Sequence, residues 1–334
     1  MRRPKRRPRP SLAENFTWLD GERLIRFGEG ALDEAPALLA SRGFHDYSLL
    51  TTERAESEAG ELAEAAARIA HVRSGPVPDA AAAVRDEVTG SPLVAFGGGR
   101  VIDAAKAIAG ADGVSVAAIP TTLSGAPMTR FHRMPTGVEQ FTLVRPALVV
   151  AEPGVMASQP MPELAASAMN ALAHAVESLY GPMRNPVTSM AALRAVDLFE
   201  SGLGDTEPRR DDLALASILG GYAIGGTGFV VHHAVCQTIV RVLGTPHAQT
   251  NAVMLPHTIA FVAELEPKAL QGVDPAAIAR LAARAGVTRL SELGVTDGRL
   301  DEVVGAVMQH PAIANTPGGA PAAAEVRRLL AGAL

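Results

Sequence analysis

The chain has 334 residues, of which 48% are hydrophobic, 4% aromatic and 19% charged, with a net charge of −5. That length fits about two domains with a substantial core, and the composition excludes an extended disordered chain. No apolar run reaches the ~20 residues of a membrane helix, the single cysteine, Cys236, excludes an internal disulfide, and the cytoplasm is the expected compartment.

Residues 1–14 are expected to be a disordered basic arm, because Arg2, Arg3, Lys5, Arg6, Arg7 and Arg9 fall among prolines. The arm lacks the apolar segment of a secretory signal. The rest of the chain is more acidic than the total implies, which disfavours nucleic acid as a partner. Residues 23–27 are predicted as a strand, 31–41 as a helix, 46–51 as a strand and 57–69 as a helix. Residues 80–88 follow as a helix, 93–96 as a strand, 101–109 as a helix, and 114–119 and 147–151 as strands. This alternation predicts a mostly parallel sheet covered by helices, a dinucleotide-binding α/β domain over residues 15–152. From 153 to 334 strand signals nearly vanish. Helices are predicted at 161–180, 187–199, 211–224, 231–243 and 251–265, making an all-α second domain.

Two loops at strand ends carry ligand-binding chemistry. In Leu93-Val94-Ala95-Phe96-Gly97-Gly98-Gly99-Arg100 a strand runs into three glycines that open a helix. Bare backbone N–H groups and the helix dipole suit a diphosphate there, although a plain tight turn explains a lone triplet equally well. The next strand ends in Pro120-Thr121-Thr122-Leu123-Ser124-Gly125, placing hydroxyls where open α/β sheets bind ligands.

The helical half holds a set of polar residues at regular spacing. Asn170 and His174 are four apart and share a helix face. His232 and His233 lie on a later helix, His247 follows fourteen residues after His233, and His257 follows Pro256. Taken singly, each histidine is more often a satisfied polar side chain than a ligand or an acid; four such segments together make coincidence less attractive.

Together, GGGRVIDAAKAIA, AIPTTLSG, ALAHAVESLYG and HHAVC…LGTPHAQTNAVMLPH resemble the iron-containing alcohol dehydrogenase superfamily, with its dehydroquinate synthase-like fold. The likeness is greatest to the maleylacetate reductases and runs from about residue 23 to residue 265. It implies a Rossmann-like α/β domain, an all-α catalytic domain and a homodimer. It implies NADH or NADPH as cofactor, held by Gly97, Gly98, Gly99, Thr121, Thr122, Thr52, Asp103 and Lys106. Thr52 stands where NAD-selective relatives often carry an acid; without that charge, and with Arg54 nearby, both cofactors are expected to bind.

The superfamily's metal ligands correspond to Asn170, His174, His233 and His247, but the acid has become an amide, a poor ligand. Metal is therefore not expected, and these four residues are expected to be catalytic in hydride transfer to a conjugated oxo-acid or related carbonyl. His233 and His247 would donate hydrogen bonds to the substrate oxygen. Arg130 first, and Arg241 second, are candidates for holding a substrate carboxylate. Ala126-Pro127, Gln237 and Asn315-Thr316-Pro317-Gly318 depart from the reductase pattern. Two alternatives stay open: a zinc- or iron-dependent alcohol or aldehyde dehydrogenase using the three histidines, and a homologue that has lost catalysis.

Overall fold

The computed structural model describes residues 15–204 and 207–334, so the expected basic arm at 1–14 lies outside the described residues. Seven strands form one sheet: β1 (Phe16–Asp20), β2 (Arg23–Phe27), β3 (Ser48–Thr51), β4 (Arg68–His71), β5 (Leu93–Gly97), β6 (Val116–Pro120) and β7 (Leu148–Ala151). Their spatial order is β1-β2-β7-β6-β5-β3-β4, parallel except for the β1–β2 hairpin.

β5 and β6 are buried along their whole length, as parallel strands covered on both faces must be. Because side chains alternate, Leu93 and Ala95 pack with the helices α4 and α5 described next, while Val94 and Phe96 join the opposite layer. The helices of this part are α1 (Ala35–Ser41), α2 (Glu53–Glu56), α3 (Glu61–Glu64), α4 (Val77–Val88) and α5 (Gly99–Asp112).

The predicted helix at 57–69 is corrected. It divides at Gly60, whose φ of 51° suits glycine, and Arg68–His71 is strand β4, paired with β3. Local helical spacing loses there to tertiary ladder bonds that no local pattern encodes. β1 was also not predicted. It is an edge strand with an alternating half-buried pattern, and its pairing depends on the Gly21 turn that folds it onto β2.

After β7 the chain is helical: α6 (Pro153–Met156), α7 (Met161–Ser178), α8 (Pro186–Leu203), α9 (Arg210–Thr227), α10 (Val231–Leu243), α11 (His247–Leu265), α12 (Pro275–Ala282), α13 (Leu300–Met308) and α14 (Ala323–Gly332). α7 is buried on nearly every side from Leu164 onward, with α8, α9 and α11 packed around it. Its core continues onto the sheet through Ile25, Phe27, Val149 and Ala151, so one apolar core spans both parts. No single helix among the described residues is long and apolar enough to cross a membrane. The loops after β3, β5 and β6 leave the carboxyl ends of the sheet and meet the helical part there. That edge is where a ligand cleft belongs in this architecture.

Candidate active site

A cleft of about 1220 Å³ runs between the two parts, more room than a typical single small-ligand pocket of ~300–1,000 Å³. The glycine turn forms one wall. Gly98 caps α5 without any side-chain capping bond. A Cβ on Gly98 would lie 3.1 Å from Thr122, and one on Gly99 would lie 3.0 Å from Ser124 Oγ. The notch is therefore bare backbone at a helix N-terminus, which fits a diphosphate. Thr121 N–H donates to the Gly97 carbonyl at 3.0 Å, tying the two loops together.

Gly99, Thr52, Thr121, Thr122 and Asp103 line the cleft, whereas Gly97 is buried beneath it. Lys106 sits elsewhere. It is fully buried, ion-paired to Asp103 Oδ1 at 2.7 Å, and donates to the carbonyls of Ala126 (3.0 Å) and Phe131 (2.7 Å). It holds the loop after β6 and does not face the cleft.

The helical wall brings the predicted polar residues together. Asn170 and His174 lie one turn apart on α7, and His174, His233 and His247 all line the cleft with Asn170. The loop after β6 approaches α7 and α9 closely at Gly125, whose Cβ would fall 2.7 Å from His174 Nδ1 and 3.2 Å from the Gly221 Cα. Only glycine permits that contact.

The His233 ring stacks between His174 (centroids 4.6 Å, planes 9° apart) and Phe229 (4.4 Å, 20°), and Phe229 in turn meets Phe131 at 4.6 Å. Asn315 Nδ2 donates to the Phe229 carbonyl at 2.8 Å and steadies the stack. Behind His233 lies Glu177, fully buried, its Oε2 2.5 Å from His233 Nδ1. Oε1 accepts the N–H groups of Val230 (3.0 Å) and His233 (3.2 Å). When Glu177 is ionised it accepts from Nδ1–H, which leaves His233 Nε2 with a lone pair; that atom is buried without a partner.

His247 has the opposite polarity. Asn251 Nδ2 donates to His247 Nε2 at 3.3 Å, which leaves its hydrogen on Nδ1, and the residue is exposed. His232 does not face the cleft. Its two ring nitrogens are bound to Asn251 Oδ1 and Thr258 Oγ1, both at 2.9 Å, so it fixes Asn251. With Glu177 ionised, neutral His233 offers an acceptor at Nε2, and His247, accepting from Asn251 at Nε2, offers a donor at Nδ1. Cys236 is a buried packing residue, its thiol pushed up by burial.

Burial holds His174, His232 and His233 below the usual histidine value, His232 at about 4 and His233 at about 3. Unfolded, each binds a proton below ~6.5. Stability is thus complete above ~6.5 and lost as pH falls toward 4. Glu177 opposes this: burial raises it to about 7, so the folded state keeps a proton that the unfolded state releases above about 4.5. His132, His247, His257 and His310 are lowered as well, so unfolding takes up protons on balance in that window and stability falls as pH falls through it. Urea midpoints should fall steadily from pH 6.5 to 4.5; a flat profile would refute this account.

The donor set does not fit a shared metal ion. Imidazole lone pairs lie in the ring plane, and a metal ~2.1 Å from two rings needs those planes to meet at it. The planes of His174 and His233 are nearly parallel and stacked. Asn170 adds only a neutral amide, and no three His, Cys, Asp or Glu side chains converge on a metal position among the described residues.

Of the two candidate arginines, Arg241 lines the cleft and Arg130 does not; Arg133, from the same loop, lines it instead. An irregular loop has no periodicity to tell these apart. Glu177 was equally unmarked. Its one signal was a carboxylate three residues after His174 on an otherwise apolar helix.

The Fe-containing alcohol dehydrogenase family, C-terminal, matches residues 164–296, and the iron-containing alcohol dehydrogenase family matches 26–160. The chain belongs to the iron-containing alcohol dehydrogenase family. It is an oxidoreductase by that membership. Maleylacetate reductase 1 of Rhodococcus opacus is 34% identical over 238 residues, covering 66% of this chain and 67% of its own. Maleylacetate reductase of Pseudomonas aeruginosa is 30% identical over 309 residues, covering 84% and 87%. Among solved structures, maleylacetate reductase from Rhizobium sp. strain MTP-10005 superposes with a TM-score of 0.80 at 27% identity, covering 96% of this chain and 98% of that one. In this chain the wall of His174, His233 and His247 is backed by Glu177 and Phe229 at His233.

Proposed function

We propose that the chain is an NAD(P)H-dependent, metal-independent reductase of a conjugated oxo-acid of the maleylacetate type. The observation that carries this reading is the His174–His233–Phe229 stack, which turns a partnerless imidazole nitrogen toward a cleft whose other wall is a bare-backbone diphosphate notch. Gly98, Gly99, Thr121 and Thr122 hold the dinucleotide, and Thr52 with Arg54 accepts either form of its ribose. When bound, the reduced nicotinamide supplies the hydride.

Negative charge then gathers on the substrate's carbonyl oxygen, and His247 stabilises it through Nδ1–H. Asn170 orients the substrate with its amide. The lone pair of His233 takes up a proton as the anionic substrate enters, because Glu177 directly behind stabilises an imidazolium. His233 then delivers that proton to the carbon next to the carbonyl, a role worth roughly 10²–10⁴-fold in rate.

Fluorescence titration with NADPH and NADH, followed by cofactor oxidation with maleylacetate against simple aldehydes, tests the reading. Saturable cofactor binding and a preference for maleylacetate are expected, with turnover unchanged after exhaustive chelation. Loss of activity on chelation, restored by zinc or iron, would overturn the metal-independent part. Absence of dinucleotide binding would overturn the whole.

A further inference from the structure

Gln237 stands one helical turn after His233 on α10, and both line the cleft. It is one of the departures from the reductase pattern, and the chemistry above leaves it unused. Its orientation is set from behind, by a segment near the end of the chain. His310 caps the short 3-10 turn Pro311–Asn315, where its Nδ1 accepts the Ala312 N–H at 3.2 Å. The ring hydrogen of neutral His310 is therefore on Nε2, which lies 3.3 Å from Gln237 Oε1. An N–H facing the amide needs an acceptor, so the Gln237 oxygen points to His310 and the NH₂ group is turned away from it.

That NH₂ group has no protein partner among the described residues. His310 itself does not line the cleft. The same turn ends at Asn315, whose amide donates to the Phe229 carbonyl at 2.8 Å. One turn thus holds both the ring stacked on His233 and the amide one turn beyond it. With Glu177 ionised, this wall presents an acceptor at His233 and a donor at Gln237, ~6 Å apart along the helix axis. A ketone conjugated to a double bond matches that pair. The carbon beside its carbonyl takes the proton from His233, and the carbonyl oxygen is the acceptor nearest to that carbon.

We propose that Gln237 donates a hydrogen bond to the carbonyl oxygen of the substrate, as a second donor beside His247, and that His310 is the positioning residue that fixes its amide for this role. The proposal rests on the oxo-acid reading and deepens it. Two neutral donors then hold the oxygen as negative charge gathers there, and both are aimed before the substrate arrives. The amide gives up no hydrogen, so this position stabilises charge and takes no part in proton transfer. A site built around a fixed donor also rejects analogues whose matching group cannot accept.

Gln237→Glu and Gln237→Met separate a donor from a brace. Glutamate keeps an oxygen for His310 and turns a second oxygen, without hydrogens, toward the cleft. Methionine keeps the length and loses both functions. If Gln237 only braces His310, glutamate is the milder change. If it is the donor, kcat for maleylacetate should fall about 10²-fold in the methionine variant and further in the glutamate variant. NADPH affinity should hold in both, which shows that the cleft is folded. His310→Phe leaves the amide free to turn and should cost about tenfold in kcat, and His310→Gln, which can donate from a similar reach, should recover most of that loss.

A readout independent of turnover uses laevulinate, a saturated oxo-acid that cannot take hydride from an oxidised cofactor, isotope-labelled at its carbonyl carbon. Hydrogen bonding to the oxygen moves that carbon's magnetic resonance downfield. Bound to NADP⁺-loaded wild type, the signal should move downfield, less in Gln237→Met and least in Gln237→Glu. A signal that stays at its free position in wild type, or moves equally in all variants, would overturn the donor. So would a glutamate variant as active as wild type. Full kcat in His310→Phe would overturn the positioning role. A downfield signal that depends on Gln237, without turnover of maleylacetate, would leave the hydrogen bond standing and remove the proposed reaction.

Discussion

Replacing Lys106 by methionine is expected to cost about 3–5 kcal/mol of stability, the penalty for removing one member of a buried charged network. The lysine is fully buried, its charge disfavoured by burial and restored mainly by Asp103. Methionine keeps the length and loses every donor. The Ala126 and Phe131 carbonyls lose their bonds, Thr129 loses longer contacts at 3.3 and 3.4 Å, and the Asp103 carboxylate is left unpaired. Leaving such groups unmade inside a protein costs roughly 1–3 kcal/mol each, and adjacent losses do not add fully. Urea unfolding should show a lower midpoint at unchanged slope. The same loop carries Phe131 and Arg133, so the KM for the oxo-acid should rise more than the dissociation constant for NADPH. A loss below ~1 kcal/mol would show that the loop is held by something other than this ammonium group.

The second large effect is expected from Glu177→Gln, and it arises from where a proton sits. Glutamine keeps an oxygen to accept the N–H groups of Val230 and His233. It then turns an NH₂ group toward His233 Nδ1, which must accept. The ring hydrogen moves to Nε2, and the atom facing the cleft changes from acceptor to donor without any change in packing. The variant also lacks the negative charge that stabilises a protonated His233. A fall in kcat of about 10²-fold or more is expected, with NADPH affinity retained, as for other carboxylates that set a catalytic tautomer. Nitrogen chemical shifts of labelled histidine should report the exchange directly. Glu177→Asp should recover part of the rate and the original tautomer. An unchanged His233 tautomer in the glutamine variant would sink this role for Glu177.

Much of the architecture was legible in the residues. β5, β6 and β7 are short, fully apolar runs bounded by turn residues, and such runs fit a sheet covered on both faces. α10 was predicted to the residue because apolar and polar positions repeat at helical spacing up to Gly244, whose left-handed φ of 71° ends it. The glycine turn and the Thr-rich loop could be placed together because parallel strands send their carboxyl ends to one edge. The elements that went astray, β1 and β4, are the two edge strands, which owe their existence to a neighbour more than to their own composition.

The sequence by itself determined the chemical inventory: a diphosphate-compatible notch, three imidazoles and an amide in place of an acid, on an α/β-then-helical chain. Only the tertiary structure decided how that inventory is wired. It put Glu177 behind His233, gave His233 and His247 opposite hydrogen-bonding polarity, buried Lys106 as a loop anchor, and chose Arg133 over Arg130 for the cleft. The reason is physical: local periodicity encodes which face of an element is apolar. The partner of a buried polar atom is settled by which distant segment arrives beside it, and each such atom must find one.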